Sequence, residues 1–265
     1  MPTTYFKYTR VKASEEKYGK GFGLNSLKKR DFNKFGPPLL GLGDISKEGR
    51  YVQALVAFLD LEGFTEFCNQ VDSHLVIPEF MTRYIGWVFE CLAEKAKEGE
   101  DGDRIQLWGS LPFYMKFLGD GLLFMWDTQY IGHLNGILNV VGHLYDLGME
   151  YQSKFLPQVR KHVSKPPTKL RCGVARGQVI SVGEKEDYVG SCINIASRLQ
   201  KLSLLSFAVS RRGLELDHEP CGSRWKAFAL VETSLRGIGD QELIYVLKKE
   251  LDSLPAEEKA LFTQP

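Results

Sequence analysis

Ala54-Leu-Val-Ala-Phe-Leu-Asp-Leu-Glu-Gly-Phe-Thr65 is an apolar run that ends in a carboxylate and then a glycine turn. Ala54 to Leu59 read as a buried strand, and Gly63, Phe64 and Thr65 offer backbone N–H groups at the start of a helix, where phosphate oxygens are well received. Asp60 would then hold metal beside bound phosphate. A second carboxylate, Asp120, lies between Gly119 and Gly121, with apolar runs Leu111 to Leu118 and Leu122 to Trp126 on either side. That pattern is the tip of a hairpin. Two carboxylates on neighbouring strands can reach the same pair of hard cations, and this is how a two-metal nucleotide site is built.

Ile77, Phe80, Met81, Tyr84, Ile85, Val88, Phe89 and Leu92 recur at three- and four-residue spacing. They predict a long helix packed on a sheet, with Pro78 in its first turn. Its aromatic residues Phe80, Tyr84 and Phe89 are expected in the core. Glu98 to Asp103 reads as a charged loop before a short strand, Ile105 to Trp108. A second helix carries Leu134, Ile137, Leu138, Val141, Leu144 and Tyr145 and runs on towards Phe155. Leu170 to Val182 has strand character, Gly183 to Asp187 is a polar turn, and a third helix begins near Ser191. Further strands are expected at Phe207 to Ser210, Leu243 to Leu247 and, more weakly, Ala227 to Val231. The order strand, helix, hairpin, helix, strand predicts an α+β fold of the ferredoxin-like βαββαβ kind, with helices on one face and additions. Expected boundaries are an N-terminal extension over 1–50, one domain over 51–250 and a C-terminal tail over 251–265.

The chain has 265 residues, 43% hydrophobic and 25% charged, and a net charge of +1, so no global basic field favours nucleic acid. The basic, Gly-rich stretch up to Phe35 reads as a solvated arm or an extension wrapped on the core. Cys68, Cys91, Cys172, Cys192 and Cys221 are scattered, with no Cys-x-x-Cys pair, and are expected to be reduced thiols. No charged-then-apolar leader opens the chain, and no apolar stretch reaches the ~20 residues of a membrane span, so a soluble cytoplasmic protein is expected. The five histidines show no paired spacing for zinc, and neither a dinucleotide loop nor a Walker motif occurs.

In the third helix Asn194 and Arg198 are four residues apart and project from one face. An amide and a guanidinium so placed can serve a ribose oxygen and developing phosphate charge. A capping Asn and a surface Arg are the alternative. Asp60 alone likewise fits an ordinary strand-end acid or helix cap.

Four ordered segments then carry a resemblance: Phe58-Leu-Asp-Leu-Glu-Gly-Phe-Thr65, Lys116-Phe-Leu-Gly-Asp120, Asp187-Tyr-Val-Gly-Ser-Cys-Ile-Asn-Ile-Ala-Ser-Arg198 and Leu235-Arg-Gly-Ile-Gly239. Together they resemble the signatures of class III nucleotidyl cyclases, over roughly Val52 to Leu247. The resemblance implies that Asp60 and Asp120, with the backbone carbonyl of Leu61, ligate two divalent cations, Mn²⁺ or Mg²⁺. Gly63, Phe64 and Thr65 would receive phosphate, Lys116 and Asp187 would read the base, Asn194 would orient the ribose, and Arg198 would stabilise the pentavalent phosphorus. Arg236 stands where the family usually has a phosphate-binding Lys, a change that keeps charge but alters reach. The resemblance further implies a head-to-tail homodimer with composite sites, in which metal ligands of one chain meet Asn and Arg of the other. The ribose 3′-hydroxyl would attack the α-phosphorus and expel pyrophosphate, leaving a 3′,5′-cyclic nucleotide.

Within the family a Lys and Asp pair usually signals adenine, and the same pair also fits uracil in a pocket narrowed for a single ring. The Leu-Glu-Gly-Phe-Thr form of the first motif, the basic extension and the lack of any sensory or membrane segment are similar to the Pycsar pyrimidine cyclases of bacterial antiphage defence. That resemblance implies UTP as substrate, cyclic UMP as product and a separate effector protein as its reader. An adenylate cyclase is the alternative, and a non-catalytic nucleotide-binding homologue is the alternative of another class. A diguanylate cyclase is disfavoured because Asp120 is followed by Gly121-Leu122.

Overall fold

Alternation along the first long strand separates the two faces of the main sheet. Leu55, Ala57, Leu59 and Leu61 enter one hydrophobic cluster, whereas Ala54, Val56 and Asp60 are buried outside it. The computed structural model describes residues 9–12, 23–34, 40–108, 110–129, 131, 134–184, 187–202, 204–214 and 223–265.

In chain order the elements are β1 (Thr9–Lys12), β2 (Gly23–Ser26), α1 (Lys29–Phe32), β3 (Tyr51–Glu62), α2 (Phe64–Cys68), α3 (Ser73–Ala96), β4 (Lys97–Asp101), β5 (Arg104–Leu107), β6 (Tyr114–Leu118) and β7 (Gly121–Asp127). They continue with α4 (Leu134–Glu150), a π-helical turn (Tyr151–Phe155), α5 (Leu156–Val159), β8 (Lys169–Val182), β9 (Asp187–Val189), α6 (Ser191–Leu199), β10 (Phe207–Ser210), a 3₁₀ turn (Ser223–Ala227), β11 (Phe228–Leu235), β12 (Gly239–Leu247), α7 (Lys248–Ser253) and α8 (Ala256–Lys259).

The chain divides into two units, Met1–Tyr51 with Ile180–Val189, and Val52–Val179 with Gly190–Pro265. Within the first, β1 and β2 form an antiparallel hairpin, and Val182↔Asp187 closes the pairing of the end of β8 with β9. The Arg50 N–H donates to Ser181 Oγ at 2.8 Å. Most of the Gly-rich arm, including Gly36-Pro37-Pro38, lies outside the described residues, as do Cys221, His133, His218 and part of the polar turn before Asp187.

In the larger unit the strand order is β11-β12-β10-β8-β3-β7-β6. The segment β8-β3-β7-β6 is the order expected of a βαββαβ fold, so the α+β expectation holds. One face is covered by α3 and α4: Phe80, Tyr84, Val88, Val141, Leu144 and Leu147 join Leu59, Phe124 and Val174 in the cluster. Each such side chain contributes about 1.5–3 kcal/mol on burial, which makes this layer the main source of stability. The opposite face is covered by α6, against expectation. Small residues on β8 admit it: a Cβ at Gly173 would stand 2.2 Å from the Ala196 carbonyl oxygen, and one at Gly177 would stand 3.1 Å from Cys192 Cβ.

Three local readings need correction, and a fourth holds. Glu98 to Asp101 is a strand of a β4–β5 hairpin, not a loop; Glu100↔Ile105 and Asp101↔Arg104 pair there although the segment lacks β-branched residues. Pro78 sits in the second turn of α3, where the carbonyl it leaves unbonded, on His74, is at an exposed position. Phe89 is 42% exposed and only edges onto Phe124, while Phe80 and Tyr84 are fully buried and stacked at 5.9 Å. The second helix does run on past Glu150, through the π turn that turns Tyr151 and Phe155 into the same aromatic cluster.

Cys91, Cys172 and Cys192 are buried, Cys68 is half-buried, and all four are free thiols. Burial pushes the Cys91 thiol up to about 11, with Glu150 adding to it. Among the described residues no helix is long and apolar enough to cross a membrane.

Candidate active site

Asp120 owes its place to glycine on either side. Leu118 pairs with Gly121, leaving Gly119 and Asp120 as a two-residue turn in which only Gly119 has positive φ (84°), the arrangement of a type II′ hairpin. Gly121 lies so close to β3 that a Cβ there would come within 3.0 Å of the Leu59 carbonyl oxygen. The turn is thereby pressed against the end of β3, where Asp60 stands.

Asp60 and Asp120 line one cleft of about 540 Å³ together with Leu61, Gly63, Phe64, Thr65, Glu66, Asn69, Arg171 and Lys201. Asp60 is 5% exposed. It follows the parity of Val56 rather than that of Leu59, so the same alternation that builds the core turns its carboxylate to the other face. Arg171 lies between the core residues Leu170 and Cys172 and takes that face too; its Nη2 donates to Asp60 Oδ2 at 2.6 Å. Gly63, at φ 83°, turns the chain from β3 into α2. The N–H groups of a first helical turn have no acceptor within the helix. Cys68, on α2, has its thiol pushed up by burial and, next, by the charge of Asp120.

Among the described residues no three His, Cys, Asp or Glu side chains converge on a point. A cation in this cleft would therefore rest on two carboxylates and backbone oxygen, with substrate phosphates completing the shell. Magnesium-like ions use that donor set, so the residues fit.

The other expected residues do not line this cleft. Lys116 pairs with Leu123 in the β6–β7 ladder, which puts it on the Asp60 face of the sheet two strands away, half-buried. Asp187 opens β9, in the smaller unit, and its carboxylate accepts the Tyr188 N–H at 2.9 Å. Asn194 and Arg198 are exposed on α6, whose buried side is Cys192, Ile195, Ala196 and Leu199. Arg236 is exposed in the β11–β12 turn.

No family model matches the chain, and no curated protein matches it either. Solved structures do. The adenylyl cyclase CyaB from P. aeruginosa superposes with a TM-score of 0.55 at 15% identity, over 76% of this chain and 96% of that one. The guanylyl cyclase Cya2 gives 0.56 at 17% identity over 76% and 94%. A bacterial light-regulated adenylyl cyclase gives 0.52 at 18% identity over 83% of this chain and 60% of its own. The chain has the class III nucleotidyl cyclase fold.

Within that cyclase fold, two cations of the cleft escaped the sequence reading. Arg171 sits in a strand whose neighbours alternate apolar and small, and a lone Arg there reads as a solvent-facing residue; its partner is 111 residues away in sequence. Lys201 follows α6 in a loop with no motif around it. The signal that could have found Arg171 is its parity with Gly173, the residue that marks the covered face.

Proposed function

We propose that the chain is a class III nucleotidyl cyclase that works as a head-to-tail homodimer and converts UTP to 3′,5′-cyclic UMP and pyrophosphate. The observation that carries this reading is the split of the constellation. Asp60 and Asp120 share a cleft with the Gly63–Thr65 turn, while Asn194 and Arg198 stand exposed outside it. One chain holds both halves yet joins only the first, and a second copy placed head-to-tail would supply the other. An apolar stripe supports a covered surface: Phe113, just before edge strand β6, and Met115 and Phe117 on it are 40%, 46% and 53% exposed.

Asp60, Asp120 and the Leu61 carbonyl would hold two divalent cations, Mn²⁺ or Mg²⁺. When bound, such ions neutralise phosphate charge and acidify a coordinated hydroxyl. The first-turn N–H groups of α2 receive phosphate oxygens, and Lys201 and Arg171 add positive charge to the cleft. From the partner, Asn194 fixes the ribose and Arg198 donates to the oxygens that gain charge in the transition state. The 3′-oxygen bonds to the α-phosphorus as the bridge to the β-phosphate breaks, and the hydroxyl proton passes to substrate phosphate or water. Arg236 is assigned to the leaving pyrophosphate.

Uracil is assigned to Lys116 and Asp187: the ammonium donates to a carbonyl and the carboxylate accepts from the ring N–H. The product is then a messenger, read by a separate effector in antiphage defence. The resemblance of the first motif and of the basic extension supports this finer reading. The test is a four-nucleotide competition with Mn²⁺ and purified protein, read by chromatography. Cyclic UMP should form fastest; a preference for ATP overturns the base assignment, and no cyclic product from any nucleotide overturns the cyclase.

A further inference from the structure

We propose that Arg171 is a positioning residue that holds Asp60 and competes with the divalent cation for its carboxylate. The inference rests on the metal reading above and deepens it.

The two acids of the cleft are not equivalent. Asp60 is 5% exposed and is already neutralised by the Arg171 guanidinium at 2.6 Å. Asp120, in the turn, is half-buried, and its side chain makes no hydrogen bond or ion pair with another described residue. A buried carboxylate needs a counter-charge, and Arg171 is that charge.

The pairing is also built to be left. A guanidinium seated as a fork gives a carboxylate two parallel N–H bonds. Arg171 gives Asp60 one, from Nη2, while its Nε is buried with no hydrogen-bond partner among the described residues. An unsatisfied buried donor makes the seated position less favourable than a full fork, so a doubly charged ion can take over the carboxylate and release the arginine. Arg171 and Lys201 line the same cleft, and both repel an incoming cation. Arg171 therefore sets how strongly the protein takes up metal, and it keeps Asp60 in the rotamer that the metal finds.

Calorimetric titration with Mn²⁺ alone, on wild-type protein, Arg171→Gln, Arg171→Lys and Asp60→Asn, tests this. Arg171→Gln should bind Mn²⁺ about tenfold more tightly than wild type, because competitor and repulsion both go. Its melting temperature should be low without metal and rise more on adding Mn²⁺ than that of wild type. Arg171→Lys, which keeps charge but loses reach, should bind about threefold more tightly, and it serves if the Gln variant does not fold. Asp60→Asn should bind at least tenfold more weakly, which places the site. Equal or weaker affinity in the Arg171 variants overturns the inference and leaves a plain structural ion pair. No Mn²⁺ binding by wild type overturns both the inference and the metal reading.

Discussion

Asp60 and Asp120 reach one cleft because strand parity and a glycine-flanked turn leave them nowhere else to go, whereas Asn194 and Arg198 stand on the open side of α6. The first pair is built into the sheet: Asp60 is buried against a counter-ion, and the Asp120 turn makes a close backbone approach to β3. The second pair costs the monomer nothing, since α6 is anchored through its other side. Burial ties the first pair to the fold of the single chain, whereas the second pair is left accessible on the solvent side of its helix. That difference is what the composite-site reading rests on.

The sharpest way to break the comparison is to damage each half separately. Asp60→Asn and Asp120→Asn should each lower kcat with Mn²⁺ on the order of 10³-fold, through lost charge stabilisation. Arg198→Ala should lower kcat about 10²–10³-fold with little change in KM, as expected of a donor used in the transition state. Mixing Asp60→Asn with Arg198→Ala protein in equal amounts should restore roughly a quarter of wild-type activity, because half the dimers are mixed and each has one intact site. Proven mixed dimers without recovery would show that the halves never meet.

The next effect is on assembly. Phe117→Asp places a charge on the apolar stripe of β6 at a residue that the monomer leaves 53% exposed. Sedimentation should show a dimer weakened about 30-fold or more, with the melting temperature of the monomer little changed. An unchanged dimer would move the interface elsewhere.

A smaller effect sharpens the carboxylate half alone. Gly121→Ala puts a methyl 3.0 Å from the Leu59 carbonyl oxygen, so the Asp120 turn must shift by a few tenths of an ångström. Steady-state assay should show kcat down about tenfold, with dimerisation unchanged.

Much of this was legible in the sequence, and the reasons differ by element. The positions of Asp60 and Asp120 were readable because each ends or interrupts an apolar run, and glycine on both sides of Asp120 marks a tight turn. The helices α3, α4 and α6 follow from their periodicity and the strands β8 and β10 from their apolar runs, all within a few residues. The β4–β5 hairpin was not readable, since Lys-Glu-Gly-Glu-Asp carries no strand propensity and is held by its register to Arg104–Leu107. The placement of α6 on the second face depends on Gly173 and Gly177, whose meaning appears only when the helix is seen lying against them. Arg171 depends on a pairing between strands that are adjacent in space and remote in the chain.

A last, smallest prediction separates a structural ion pair from the one at the cleft. Glu150 accepts from Lys95 at 2.8 Å and from Lys154 at 3.1 Å, on the α3–α4 side of the molecule. Burial alone would raise its carboxyl, but the two ammonium groups together hold it below the usual range. A carboxylate whose folded pKa is depressed adds stability that is present above its unfolded value and is lost as pH falls through the folded one. Glu150→Gln should therefore melt about 2 °C below wild type at pH 7, for a loss of about 1 kcal/mol, and the two melting curves should converge as pH drops below about 4. Mn²⁺ should shift both proteins equally, because this pair has no cation to exchange for. If Glu150→Gln instead changed the response to Mn²⁺, the contrast between a fixed ion pair and one seated to be displaced would lose its control.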